Sequence, residues 1–126
     1  MLFRSATSIS IIQASRGHNE GVVNSLVVVD TYIAQNVGES VAIYPIVREK
    51  RTRLAPVSGH ELVEKRNDYQ AAVSPALSKA EIKALKRFGD ELQKYFGYPM
   101  DVEFVVRDGI IWIVQARPIE IGRAHV

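Results

Sequence analysis

At 126 residues the chain is the size of one domain, and with 47% apolar and 24% charged residues it has the composition of a folded protein, not a disordered one. Sixteen lysines and arginines against fourteen acids leave a net charge of +2, too small an excess for a nucleic-acid surface, and no apolar run reaches the roughly 20 residues of a membrane helix. With no cysteine there can be no disulfide, thiolate metal site or cysteine nucleophile, and the lack of a signal-peptide pattern adds to an expected reducing, cytoplasmic setting.

Ser8–Ala14 alternates and is rich in isoleucine, which predicts a strand that stops at the polar loop Ser15-Arg16-Gly17-His18-Asn19-Glu20. Val22–Val28 and Thr31–Gln35 read as further short strands. Asn36-Val37-Gly38-Glu39-Ser40 reads as a hairpin connection, and Val41–Val47 as a strand whose Pro45 suits a sheet edge or a bulge. From Arg48 to Pro75 periodicity is poor, so a long surface excursion is expected, with one helical turn at Glu61–Lys65. Its basic stretch, Arg48-Glu49-Lys50-Arg51-Thr52-Arg53, suits either a solvated strand end or a phosphate-contacting patch. His60 and His125 have no carboxylate or histidine neighbours at ligand spacing and read as surface residues, and His18 reads as a loop histidine or a phosphate acceptor.

Ser78-Lys79-Ala80-Glu81 has the form of a capping box, and Ile82, Leu85, Phe88, Leu92 and Phe96 recur at helical spacing behind it. Gly97 and Pro99 end that helix. Two strands follow, Asp101–Val106 and Ile110–Gln115, around Arg107-Asp108-Gly109. A two-residue turn at Asp108-Gly109 mixes polar and apolar side chains on each face. A three-residue loop pairs Val106 with Ile110 and gathers Val102, Phe104, Val106, Ile110, Trp112 and Val114 on one face. Burial favours the second register, with Gly109 at positive φ.

Asp101 and Glu103, two residues apart on one strand, point the same way. In the second register Gln115 adds a neutral oxygen on that face and Arg117 continues the alternation, whereas Glu103 and Trp112 on one face would undo the cluster. Hard oxygens beside a guanidinium suit Mg²⁺ and a phosphoryl group. The same residues also suit a solvated hairpin end with Arg117 salt-bridged to Asp101.

Tyr98-Pro99-Met100-Asp101-Val102-Glu103-Phe104, followed by Val114-Gln115-Ala116-Arg117-Pro118, resembles the end of the nucleotide-binding domain of the phosphoenolpyruvate synthase and pyruvate phosphate dikinase family. Gly17-His18-Asn19-Glu20-Gly21-Val22-Val23 resembles that family's Gly-Leu-Gly-Glu stretch, and Asp30-Thr31-Tyr32 its Pro-Asp and following strand. The resemblance spans about residues 9–120. It implies an α+β fold, a mostly antiparallel sheet packed against one long helix, like the C-terminal subdomain of an ATP-grasp fold. Residues 1–121 would form that partial subdomain and 122–126 a trailing tail.

The resemblance also implies a role for each matching residue. Glu103 and Gln115 would be Mg²⁺ ligands, with Asp101 supporting them. Arg117 would face the phosphates of ATP, and Glu20 would lie near the phosphate end. In such a family ATP phosphorylates a histidine on a separate domain, so the implied partners are ATP, the N-terminal nucleotide-binding half, the phosphohistidine domain and a pyruvate-binding barrel. His18 and Asn19 stand where the family has leucine and glycine, Ser25 where glycine is common and Val29 where proline is usual. The phosphohistidine motif, a glycine-rich phosphate loop and the basic residues of the N-terminal half do not occur in the chain. A fragment of an ATP-dependent phosphotransferase and a non-catalytic binding module with the same fold are the two functions this leaves.

Overall fold

The computed structural model describes residues 1–5, 8–59 and 61–119, so His60, His125 and the expected tail at 122–126 lie outside the described residues. In chain order the elements are β1 (Leu2–Ser5), β2 (Ile9–Ala14), α1 (Glu20–Val23), β3 (Asp30–Val37), β4 (Ser40–Ile46), β5 (Thr52–Pro56), β6 (Leu62–Arg66), α2 (Tyr69–Val73), α3 (Lys79–Phe96), β7 (Met100–Arg107) and β8 (Ile110–Pro118). Six strands form an antiparallel sheet in the order β4-β3-β2-β1-β7-β8, and β5 with β6 forms a separate antiparallel ribbon. The class is α+β. Among the described residues no helix is long and apolar enough to cross a membrane.

Alternation decides which residues meet α3. Ser10, Ile12 and Ala14 of β2 are buried, as are Tyr32 and Ala34 of β3 and Met100, Val102 and Phe104 of β7. These side chains, with Phe3, make the inner face, against which α3 lays Ile82 and Leu85, with Phe88 and Leu92 at the margin. The helix starts as its sequence predicts. Ser78 Oγ accepts from the Glu81 N–H at 3.1 Å, and the Ser78 N–H donates to the Glu81 carboxylate at 2.8 Å. Gly97 ends it in the left-handed conformation, φ 83°. Phe96 departs from the expected apolar face. It is exposed, edge-on to Tyr95 and stacked on Tyr98. Lys86, on the buried side, reaches Asp90 at 2.7 Å.

Three expectations between Val22 and Pro75 are corrected. Val22–Val28 is not a strand: Glu20–Val23 is a single helical turn, and the Gly21 carbonyl then accepts from the N–H groups of Leu26 and Val27. Local hydrogen bonding and burial of Val22 override valine's strand preference. Arg48–Pro75 is not a structureless excursion, since it holds β5, β6 and α2. Glu61–Lys65 is not helical, because Leu62–Arg66 pairs with β5 from Pro56↔Leu62 to Thr52↔Arg66. The β3–β4 hairpin and the edge position of Pro45 agree with the sequence.

Asp30 ties this middle segment to the sheet. Its carboxylate is fully buried and accepts from Lys50 Nζ at 2.7 Å, the Arg48 N–H at 2.9 Å, the Tyr32 hydroxyl at 2.8 Å and the Ala76 N–H at 2.8 Å. Burial alone would raise the Asp30 carboxyl, but Lys50 and then the two N–H groups outweigh it and hold the carboxyl below its usual value. Burial, reinforced by Asp30, pushes the Tyr32 hydroxyl above its own ordinary value.

The last hairpin takes the register that the burial argument disfavoured. Arg107 pairs with Ile110 across the two-residue turn Asp108-Gly109, and Val105 with Trp112, so Trp112 lies on the face of Glu103 and not in the core. Asp108 at φ 52° and Gly109 at φ 76° give the turn whose twist suits paired strands. A bulge after Phe104↔Ile113 then moves the pairing on by one, so that Glu103 meets Gln115 and Asp101 meets Arg117. Ile111 and Ile113, not Ile110 and Trp112, share the inner side with Phe104 and Val106.

Candidate functional site

On the outer face of the sheet, away from α3, side chains line up in cross-strand rows. One row runs Ile46, Thr31, Gln13, Leu2, Glu103, Gln115 from β4 to β8. In the next row Asp101 lies between the backbone position of Arg4 and Arg117. Strand spacing of about 4.8 Å puts Glu103 and Gln115 within reach of one small ligand, and Gln13 about 10 Å from Glu103.

Asp101, Glu103, Gln115 and Arg117 line one cleft of about 330 Å³, together with Leu2, Ile11, Gln13 and Val23. The register differs from the expected one, yet the four residues meet, because the bulge returns Gln115 and Arg117 to the outer face. Val23 brings α1 to the rim. Glu20, the first residue of α1, is exposed and does not line this cleft. Its N–H donates to His18 Nδ1 at 3.1 Å.

The loop before α1 is seated on β5. The His18 N–H donates to the Leu54 carbonyl at 2.8 Å. Gly17, at φ 87°, leaves no room for a side chain: a Cβ there would stand 2.5 Å from the Leu54 oxygen. The β5–β6 ribbon, absent from the sequence reading, is therefore what backs the Glu20 loop.

Among the described residues, no three histidine, cysteine, aspartate or glutamate side chains converge as a metal centre. The side-chain oxygens lining the cleft are those of two carboxylates, Asp101 and Glu103, and two amides, Gln13 and Gln115. That suits Mg²⁺ in the form that takes one or two carboxylates and fills its other positions with water and phosphate oxygens. Gln13, Leu2, Ile11 and Val23 were not singled out from sequence. The parity of β2 carried a signal for two of them, since Ile11 and Gln13 must share a face.

The family model described as pyruvate phosphate dikinase, AMP/ATP-binding domain, matches residues 4–125. A probable phosphoenolpyruvate synthase of Methanocaldococcus jannaschii is 34% identical over 110 residues, covering 86% of this chain and 9% of that protein. A probable phosphoenolpyruvate synthase of Archaeoglobus fulgidus is 35% identical over 109 residues, 86% of this chain and 14% of that one. A rifampicin phosphotransferase of Bacillus cereus is 31% identical over 108 residues, 86% of this chain and 12% of that one. The chain thus spans only 9 to 14% of the length of these relatives. With the family model covering nearly all of it, the chain belongs to the pyruvate phosphate dikinase AMP/ATP-binding domain family.

Proposed function

We propose that the chain is the C-terminal part of an ATP-grasp-type nucleotide-binding domain, a piece of an ATP-dependent phosphotransferase that phosphorylates a histidine on another domain. The carrying observation is the meeting of Asp101, Glu103, Gln115 and Arg117 in one cleft. Glu103 and Gln115 would hold Mg²⁺, with Asp101 beside them, and a bound Mg²⁺ would supply charge neutralisation at phosphate oxygens. The Arg117 guanidinium would take phosphate oxygens as a fixed fork. Glu20, on the helix whose Val23 reaches the rim, would act from the phosphate end. The N-terminal nucleotide-binding half, the phosphohistidine domain and the pyruvate-binding barrel would come from the rest of a longer protein. Its ultimate acceptor differs even among relatives, as the rifampicin phosphotransferase indicates by name.

A second reading, a binding module that keeps the fold without catalysis, draws on Glu20 standing exposed and outside the cleft. One substitution separates the two. In a complete protein carrying this segment, Glu103→Gln is expected to lower ATP-driven histidine phosphorylation by at least roughly 100-fold, the scale of one charge-stabilising group. The melting temperature of the 126-residue chain should stay nearly unchanged. Undiminished phosphorylation would leave Glu103 a surface carboxylate and favour the binding module.

A further inference from the structure

Three of the four cations in the basic stretch after β4 are engaged within the fold. Lys50 is buried against Asp30, and Arg51 pairs with Glu49 at 3.1 Å. Arg53 Nη1 donates to the Arg66 carbonyl and to Asn67 Oδ1, both at 2.9 Å. The guanidinium of Arg48 has no partner among the described residues. Its main chain, in contrast, is held at both polar atoms: the N–H donates to Asp30 at 2.9 Å, and the carbonyl accepts from Lys50 Nζ at 2.9 Å. A buried ion pair therefore fixes the backbone of the one residue in the stretch whose charge is left over.

Arg48 lines a second cleft, of about 380 Å³, with Gln13 and an apolar wall that includes Val22, Leu26 and Val28. No carboxylate lines it. Gln13 also lines the cleft of Glu103 and Gln115, so the two clefts are neighbours across one side chain. An unpaired guanidinium, an amide and an apolar wall with no acid suit an oxyanion attached to a partly apolar body. We propose that the Arg48–Gln13 cleft is a second oxyanion site, taking the phosphate or carboxylate group of a ligand that lies along the outer face of the sheet. It does not depend on cation binding by Glu103 and Gln115.

The test is titration of the ¹⁵N-labelled 126-residue chain with inorganic phosphate at constant ionic strength, beside Arg48→Gln and the control Arg51→Gln. Both substitutions change exposed side chains and keep the main-chain clamps, and the amide spectrum reports their folding directly. Saturable shifts are expected at the Gln13 side-chain amide and along residues 25–29. Arg48→Gln should weaken them by at least about fivefold, and Arg51→Gln should not, because its guanidinium already has a partner. Adding Mg-ATP until the shifts of the Gln115 side-chain amide saturate then identifies the source of the oxyanion. Displacement of phosphate from this cleft assigns it to the nucleotide's own phosphates, and undisturbed phosphate shifts assign it to a separate small anion. Glu103→Gln is expected to leave phosphate binding here intact, whatever it does to phosphorylation. Equal affinity in Arg48→Gln and the unaltered chain, no saturable shifts, or shifts confined to the surroundings of Arg117 would overturn the proposal.

Discussion

Gly89 sits against the ring of Phe3 so closely that no other residue fits: a Cβ at position 89 would stand 1.9 Å from Phe3 Cε1 and 2.1 Å from Cζ. The glycine lies inside α3 and Phe3 lies in β1, the strand between the two halves of the sheet. The contact sets how deeply the helix seats.

Gly89→Ala should therefore destabilise the chain, although alanine is the better helix former by about 1 kcal/mol. Forcing a methyl into a packed core costs about 1–3 kcal/mol, more where the neighbour is an immovable ring, so a net loss of about 1–2 kcal/mol is expected in urea unfolding. Combining it with Phe3→Leu should restore part of the loss. Equal stability of Gly89→Ala and the parent would mean the helix rises off β1 at no cost.

Lys50→Met leaves the Asp30 carboxylate buried with only neutral donors, and about 3 kcal/mol of stability should be lost on breaking the pair. Met fills the space of the lysine stem, so the loss reports the charge and not a cavity. A double variant, Asp30→Asn with Lys50→Met, should be more stable than Lys50→Met alone. If the single variant matches the parent, the pair contributes nothing to folding.

The same carboxylate predicts a pH response. Its value in the folded chain lies below the ordinary 3.8, so its contribution is complete above that value and is lost as pH falls through the lower folded one. Between pH 4 and pH 2 the parent should lose more stability than Asp30→Asn does, because that variant has no proton to gain at this position. Parallel acid profiles in the two chains would count against the assignment.

On the proposal that it supplies one wall of a nucleotide site, the 126-residue chain should bind Mg-ATP weakly. Loss of two or three charge-assisted contacts, at about 1.5–3 kcal/mol each, moves a micromolar site toward millimolar. Calorimetric titration measures this directly. A dissociation constant at or below about 10 μM would mean that the chain carries a complete site and that Asp101, Glu103, Gln115 and Arg117 are only part of it.

Much of the fold was legible because its causes are local. The capping box and the three-and-four spacing of α3 lie within one window, as do Gly38 between β3 and β4 and the alternation of β2. Lys50 was not legible. A lysine among arginines reads as solvated, and the carboxylate that buries it lies twenty residues earlier, in another element. The Val22–Val28 stretch misled for a related reason, since its conformation answers to hydrogen bonds that the Leu26 and Val27 N–H groups donate to the Gly21 carbonyl and to contact with β5. In the last hairpin, segregation of apolar side chains and the Asp-Gly turn seemed to exclude one another. A bulge reconciles them, and nothing in the spacing of Ile110–Gln115 announces it. The outward pairing of Asp101 with Glu103 survived because it needs only the alternation of one strand.

That bulge also changes what odd and even numbers mean. In β2 and β7 odd positions face the cleft and even positions face the helix, from Ile9 to Ala14 and from Met100 to Val106. In β8 the code reverses midway: Ile111 and Ile113 turn inward, while beyond Val114 it is Ala116 and Pro118 that share the side of Val102 and Met100. A saturation mutagenesis map of this chain should show the two faces as interleaved combs, one scoring stability and the other ligand binding. The teeth of the combs should change places at a single residue, Val114.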